Sequence, residues 1–337
     1  SGVVIDLDDG SDTGFKNNDN LTNDTSPTFT VSGLVPTDSV YIYFNGADSN
    51  KLKADATAES FIGALTSDGS YIATTKSRDI AGNLSSFSTG LNFRLDTTPF
   101  TPTTTPNLLA EFDSGMSSSD DTTNSRKPQF EVTQLPSISD SLYLFIQSGI
   151  TNQLVQKTIK SYNITKDTLF VPDSSELGSG EFTVTYTVLD SAGNVSVPSN
   201  PMTLYIDYTA PNNPGEPILN STSDKGESNA DKLTNQDRVD ITLTNILPGY
   251  SGLIYLVDGD TTKIDSGFFT PGQEGITFDV PTAQTGTYVY TTVHVDTAGN
   301  RSGYSDPITI SVDRDAPSAA VTYEDDALVR AGDISTL

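Results

Sequence analysis

Residues 180–196 read Gly180-Glu181-Phe182-Thr183-Val184-Thr185-Tyr186-Thr187-Val188-Leu189-Asp190-Ser191-Ala192-Gly193-Asn194-Val195-Ser196. Phe182, Val184, Tyr186 and Val188 alternate with Thr183, Thr185, Thr187 and Leu189, and a period of two is the pattern of a strand with one face buried. At Asp190 the alternation stops and turn residues take over. The same strand-then-turn sequence occurs twice more. Residues 71–77 lead into Asp79-Ile80-Ala81-Gly82-Asn83-Leu84-Ser85, and residues 288–294 lead into Asp296-Thr297-Ala298-Gly299-Asn300-Arg301-Ser302. The three strands open on Gly-x-aromatic (Gly69-Ser70-Tyr71, Gly180-Glu181-Phe182, Gly286-Thr287-Tyr288), which matches the corner before strand F of an immunoglobulin-type sandwich.

Working outward, Gly82, Gly193 and Gly299 stand 111 and 106 residues apart. A period of that length is a whole domain rather than a solenoid unit. Two further phrases repeat in register. Asp-x-Gly-x4-Asp-x-x-Thr-Asn begins at Asp12, Asp113 and Asp224, and an Asp-to-Pro phrase follows each Asp-x-Ala-Gly-Asn, running from Asp96 to Pro99, Asp207 to Pro211 and Asp313 to Pro317. Further strands are expected at 28–31, 40–44, 129–133, 142–146, 239–244 and 253–257, and no window carries a helical stripe. About seven short strands per repeat, punctuated by Gly, Pro, Asn and Asp, make the fold class all-β: three tandem immunoglobulin-like β-sandwich domains in an extended rod. The expected boundaries are 1–98, 99–209 and 210–315, with residues 316–337 opening a further, truncated domain. Pro99, Pro102 and Pro106, then Pro211, Pro214 and Pro217, mark semi-rigid linkers.

The chain has 337 residues and a formal net charge of −26. Its 44 acidic residues are 35 Asp and only nine Glu. Asp favours turns and hard-cation sites, whereas Glu suits helices and solvated surfaces. This charge excludes nucleic acid as a partner, because no basic patch is present to neutralise phosphate. Cysteine is absent, so no disulfide braces the domains. No run of apolar residues is long enough for direct membrane insertion. With one histidine and no cysteine, triads and histidine-based zinc sites have no residues to draw on, and an enzyme is not expected. That histidine, His294, sits on the alternating strand with Tyr288 and Tyr290, a core position.

In a sandwich of this kind, Asp-x-Ala-Gly-Asn falls between strands F and G. Asp-x-Gly-x4-Asp falls between strands A and B, at the opposite end, and the Asp-to-Pro phrase starts the linker. The last two phrases of one copy are thus expected to converge with the first phrase of the next copy at each junction. Ca²⁺ takes six to eight oxygens from such loops. The expected metal ligands at the first junction are Asp12, Asp19 and Asp96 with Asp190 and Asn194. At the second they are Asp113, Asp120 and Asp207 with Asp296 and Asn300. Asp224, Asp231 and Asp313 form half of a third site, and Asp79 and Asn83 face the other end. Without a cation these carboxylates repel. The plainer alternative is that they are turn residues; three phrases kept in register across divergent copies favour the metal.

Ser11-Asp12-Thr13-Gly14, Asp19-Asn20-Leu21-Thr22-Asn23, Asp-x-Ala-Gly-Asn and Asp96-Thr97-Thr98-Pro99 together resemble the bacterial Ig-like repeats of giant non-fimbrial surface adhesins exported by type I secretion. The resemblance runs over residues 1–317 and implies Ca²⁺ at domain junctions, a monomeric rod, and a secreted, cell-surface location. It also implies passage through the type I secretion machinery and attachment to a host-cell surface receptor, a glycan among the candidates. Lys225 and Arg314 depart from the pattern in the third copy, as Thr122 does in the second. An alternative reading makes the segment itself the glycan- or protein-binding module. Tyr and Phe clustered on one copy favour that alternative, whereas identical surfaces on all copies favour a spacer.

Overall fold

Among the described residues, each repeat shows eight strands in two sheets. In a computed structural model these are described for residues 2–318, except 15, 116, 135–140, 150–153, 162–167, 171–175, 259, 270–272 and 274. The expected truncated domain at 316–337 lies almost wholly outside the described residues. Among the described residues no helix is long and apolar enough to cross a membrane.

In the first repeat the strands are β1 (Val4–Leu7), β2 (Leu21–Thr22), β3 (Thr28–Ser32), β4 (Ser39–Phe44), β5 (Ala47–Lys53), β6 (Ala58–Ile62), β7 (Gly69–Arg78) and β8 (Leu91–Leu95). They form a three-stranded sheet, β1-β3-β6, and a five-stranded sheet, β2-β8-β7-β4-β5. The second repeat repeats this order with β9 (Asn107–Leu108), β10 (Thr122–Thr123), β11 (Phe130–Val132), β12 (Ser141–Ser148), β13 (Leu154–Ser161), β14 (Thr168–Phe170), β15 (Gly180–Leu189) and β16 (Met202–Ile206). The third does so with β17 (Ile218–Leu219), β18 (Leu233–Thr234), β19 (Arg238–Thr244), β20 (Ser251–Asp258), β21 (Asp260–Phe268), β22 (Gly275–Pro281), β23 (Gly286–Val295) and β24 (Ile308–Val312).

One placement differs from the sequence reading. The Asp-x-Gly-x4-Asp phrase does not separate the first strand from the second; it interrupts the first strand. β1 pairs antiparallel with β3, the chain then crosses to the other sheet, and β2 pairs parallel with β8 through Leu21↔Arg94 and Thr22↔Leu95. A two-residue strand carries no periodicity, so the crossing is invisible to pattern reading.

The inner faces supply the cores. Phe29 is fully buried against Phe61 and Phe93, with centroids 5.2 and 5.1 Å away. Phe130 and Tyr186 fill the second core, and Phe278 and Tyr290 the third. The buried phenols are satisfied: Tyr186 Oη lies 3.1 Å from Thr104 Oγ1, and Tyr290 Oη donates to Pro281 O at 2.6 Å. The Gly-x-aromatic corner closes as expected where tyrosine is present. Tyr71 Oη donates to Ser67 O at 2.6 Å and Tyr288 Oη to Gln284 O at 3.1 Å. By chain contacts, residues Ser1–Thr209 and the Thr297–Asn300 loop form one compact unit; Ala210–Asp296 and the residues from Arg301 onward form another.

Candidate metal-binding and junction site

Asp12, Asp113 and Asp224 occupy one structural position, at the start of the crossing, and are only 4, 5 and 3% exposed. Each turns one carboxylate oxygen onto a backbone N–H eight residues ahead: Asn20 at 2.9 Å, Asp121 at 3.3 Å and Lys232 at 3.1 Å. Those three donors all sit in the left-handed region, with φ of 60, 57 and 61°. The neighbouring aspartate holds them there. Asp19, Asp120 and Asp231 each accept the N–H two residues on, from Leu21 (3.2 Å), Thr122 (3.1 Å) and Leu233 (3.0 Å), the bond of an Asx turn. The paired aspartates seven residues apart are therefore a loop-shaping device repeated in all three copies.

Hydrogen bonding does not use them up. Asp113 Oδ1 and Asp224 Oδ1 are buried with no hydrogen-bond partner. Burial raises the pKa of Asp12, and the adjacent Asp19 raises it further. Burial, then Asp120, does the same to Asp113, and the carboxyl of Asp121 is raised by the same two causes. A buried carboxylate oxygen without a donor, facing a second carboxylate, is a costly arrangement that a hard cation relieves. The donor chemistry thus fits Ca²⁺. Among the described residues, however, no group of three or more His, Asp or Glu is arranged to hold a metal. The carboxylates come in pairs, so the remaining oxygens would have to be carbonyls and water.

The other expected ligands are engaged differently. Asp79 accepts from both the backbone N–H and the side-chain amide of Asn83, at 2.8 and 2.9 Å. Asp190 does the same with Asn194, at 2.8 and 2.9 Å, and adds Ala192 N–H at 3.0 Å. These aspartates close their own turns. Asp96 is paired with Arg94 at 3.0 Å, while Asp207 and Asp313 accept the N–H two residues on, at 2.8 and 3.0 Å. Asp296 is 2% exposed.

Phrases do converge at the first junction, but in a different combination from the one implied by their placement in the sandwich. The first phrase and the Asp-to-Pro phrase of the first repeat, the grouping of the expected ligand set, meet the Asp-x-Ala-Gly-Asn turn of the second. Asn194 Nδ2 donates to Asp96 O at 2.8 Å, tying the turn of the second repeat to the linker. Thr13 Oγ1 donates to Ala192 O and accepts Asn23 N–H at 2.8 Å. Gly14 (φ 95°) and Gly193 (φ 97°) lie backbone against backbone; a Cβ on Gly14 would stand 2.0 Å from Ser191 O, and one on Gly193 3.0 Å from Gly14 N. Within the same compact unit the 297–300 loop repeats these contacts. Ser114 Oγ donates to Ala298 O and accepts Asn124 N–H at 2.8 Å, Asn300 Nδ2 donates to Asp207 O at 2.6 Å, and Gly299 abuts Gly115. Ala192 and Ala298 are 1% exposed, whereas Ala81, in the corresponding turn of the first repeat, is exposed.

Sequence reasoning missed Thr13, Ser114 and the part played by the glycines. The signal was a hydroxyl followed by glycine in both phrases, with Lys225 replacing the hydroxyl in the third copy. Thr22, Thr123 and Thr234 explain the repeated Thr-Asn. All are buried; Thr123 and Thr234 donate across the crossing to Phe112 O (2.5 Å) and Ser223 O (2.6 Å). His294 lies in the core, as its strand position implies. It is 6% exposed, its Nε2 has no partner, and burial lowers its pKa against the opposing effect of a bond with the Asn212 backbone.

No curated protein matches the chain. Solved structures that resemble it include the FN1–FN3 domains of chicken CNTN1, at 12% identity, covering 93% of this chain and 97% of that one with a TM-score of 0.42. A bacterial ice-binding adhesin of 1.5 MDa matches at 19% identity, with 93% and 98% covered and a TM-score of 0.34. A tetra-tandem repeat from the extending region of a large adhesion protein matches at 17%, with 94% and 75% covered and a TM-score of 0.26. The three sandwiches coincide with three matches to one sequence family, at residues 1–97, 100–208 and 211–314, and the chain belongs to that family, the bacterial Ig-like domain.

Proposed function

We propose that this chain is a stiffened spacer in a giant non-fimbrial adhesin exported by type I secretion. It holds an adhesive part away from the bacterial surface for attachment to host cells. The observation that carries the reading is the joint at the first junction, where Thr13, Gly14 and Asp96 of one repeat meet Ala192, Gly193 and Asn194 of the next. Its fold is of a kind that is structural or adhesive rather than catalytic. Ca²⁺ would be held by the pairs Asp12 with Asp19, Asp113 with Asp120, and Asp224 with Asp231. When bound, the ion would supply positive charge to the unpartnered oxygens of Asp113 and Asp224 and offset the crowding of Asp12 by Asp19. Asp79 and Asp190 serve as turn-closing groups. Extracellular calcium sites as weak as about 10⁻⁴–10⁻³ M are filled outside the cell.

Calorimetric titration of the chain with Ca²⁺ tests the metal part. Binding is expected, and Asp113→Asn together with Asp120→Asn removes one class of site. Absence of heat and of any Ca²⁺-induced rise in Tm at millimolar ion would reduce these aspartates to loop formers and leave only the direct joint.

A further inference from the structure

The outward face of the five-stranded sheet in the first repeat carries two adjacent rows of cations. β4 sends Tyr41 and Tyr43 outward between its buried residues Val40, Ile42 and Phe44. Register places Lys51 and Lys76 on either side of Tyr41, and Lys53 and Arg78 on either side of Ser39. Four of the 18 Lys and Arg of a chain with net charge −26 thus share two adjacent rows of one sheet. Lys51 Nζ stands 5.2 Å from the centroid of the Tyr41 ring, and Lys76 Nζ stands 4.0 Å from that of Phe87. Phe87, half exposed, meets Tyr43 edge-on at 5.1 Å. Asp79, next to Arg78, has its carboxylate bound to Asn83.

The third repeat keeps an aromatic pair at the positions of Tyr43 and Phe87: Tyr255 lies edge-on to Tyr304 at 5.5 Å, with Arg301 5.7 Å from the Tyr255 centroid. Tyr255 is buried, however, and the cation pair on β7 is specific to the first copy. The positions of Lys76 and Arg78 are Thr187 and Leu189 in the second repeat and Val293 and Val295 in the third, as their pairing with Tyr143, Ser141, Leu253 and Ser251 shows. A requirement of the shared fold would have kept the cations in all three. In a strongly acidic protein, a local cationic row attracts anions by complementarity, and exposed flat aromatic rings offer stacking surfaces. A protein partner of ordinary affinity would need a desolvated apolar centre; here charges occupy the centre. A saccharide, with apolar CH faces for the rings and acidic groups for the cations, suits both features.

We propose that this face, centred on Tyr41 between Lys51, Lys76 and Arg78 and flanked by Tyr43 and Phe87, binds an acidic saccharide. Hydrogen bonding from Arg78 first, then Lys51, also holds the Tyr41 phenol below the usual tyrosine pKa, in keeping with a concentrated positive field. The site is separate from the two junctions described, although Arg78 Nε also donates to Gly82 O at 3.3 Å in the Asp79–Asn83 turn, so its failure would leave the spacer reading intact, and the reverse holds too.

Trigalacturonate, a dextran sulfate oligomer and neutral galactotriose serve as probes, titrated into the 337-residue chain by calorimetry at about 50 mM salt, where surface electrostatics are little screened. Each titration is run with Ca²⁺ and again with EDTA, which removes calcium bridging as an explanation. Binding of trigalacturonate but not galactotriose is expected in EDTA, weakening as salt rises. Lys76→Ala with Arg78→Ala should weaken it about tenfold or more, whereas Lys16→Ala with Lys127→Ala, the same charge change elsewhere, should leave it within about twofold. Binding of the sulfate probe alone would uphold the site and assign it to sulfated sugars. The proposal falls if neither acidic probe binds, or if both double variants weaken binding equally. It also falls if the only effect of Lys76→Ala with Arg78→Ala is to abolish self-association, since the face would then be an interface between copies.

Discussion

At the scale of single residues, the repeated aspartates divide into two kinds that sequence alone could not separate. Asp12 and Asp113 are buried against Asp19 and Asp120; Asp113, like Asp224, keeps an oxygen without a donor, whereas Asp12 accepts from both Asn20 and Leu21 N–H. Asp79 and Asp190 are matched to donors within their own five-residue turns. Both kinds recur with the same regularity, because an aspartate that closes its own turn and one that shapes a crossing loop leave the same trace. Glycine was legible as a repeat but not as a contact. Gly14 has φ 95°, and a Cβ there would collide with Ser191 O at 2.0 Å. Gly14→Ala should therefore cost the first repeat about 1–2 kcal/mol from the left-handed backbone, and it should separate the two repeats besides. The check is hydrogen exchange at Ala192 and Asn194, whose amides should lose protection while the core amides of β15 keep theirs. His294 gives a pH signature. Burial lowers its folded-state pKa below the unfolded value near 6.5, so below that pH the unfolded chain binds the proton more readily than the folded one. Stability from this residue is complete above pH 6.5 and declines as pH falls toward the folded pKa. His294→Val, which copies Val188 of the second repeat, should flatten the fall in the unfolding midpoint of the third repeat between pH 7.5 and 5.5. Equal slopes for the two proteins would rule out the buried imidazole as its source.

At the scale of elements, alternation did most of the work. Strands β4, β7, β12 and β15 were readable because four or more consecutive side chains alternate between more and less buried positions. β20 and β23, buried on both faces over much of their length, show an apolar run and a repeat-equivalent stretch instead. β2, β10 and β18 were not readable, since two residues held by parallel pairing to β8, β16 and β24 have no pattern to show. The strand-F corner was readable from Gly-x-aromatic, and it varies informatively. Tyr71 and Tyr288 bond back to the chain four residues upstream, whereas Phe182 has no hydroxyl to do so. Tyr288→Phe should consequently leave the fold intact, as Phe182 does, while removing the bond to Gln284 O and the one accepted from Gln284 N at 3.0 Å. The expected loss is about 1 kcal/mol, read as a lower denaturant midpoint for the third repeat with an unchanged m-value. A loss below about 0.3 kcal/mol would mean that water replaces the bond at this exposed corner.

At the scale of the molecule, a direct contact between loops joins the first repeat to the second, and the proposed cation sites on the carboxylate pairs would add a second, independent device. They make separable predictions. The Thr13, Asn194 and Gly14 contacts need no metal, so chelation alone should not abolish them. The Asp12 and Asp113 carboxylates are penalised in the folded state; their raised pKa values mean that this penalty is absent below about pH 3.8 and grows as pH rises through the folded values. Ca²⁺ should therefore stabilise the chain more at pH 7 than in acid, the gain shrinking as pH falls through the raised folded-state pKa values and protons compete with the metal. Small-angle scattering separates the two devices. In the wild-type chain, replacing Ca²⁺ by EDTA at pH 7 should broaden the distribution of inter-repeat distances without unfolding the repeats. Gly14→Ala should broaden it even with Ca²⁺ present, and Gly14→Ala in EDTA should broaden it most. If EDTA has no effect on the wild type while Gly14→Ala does, the loops alone set the stiffness. If EDTA has its full effect and Gly14→Ala none, the cation sets it and the close glycine contact is incidental.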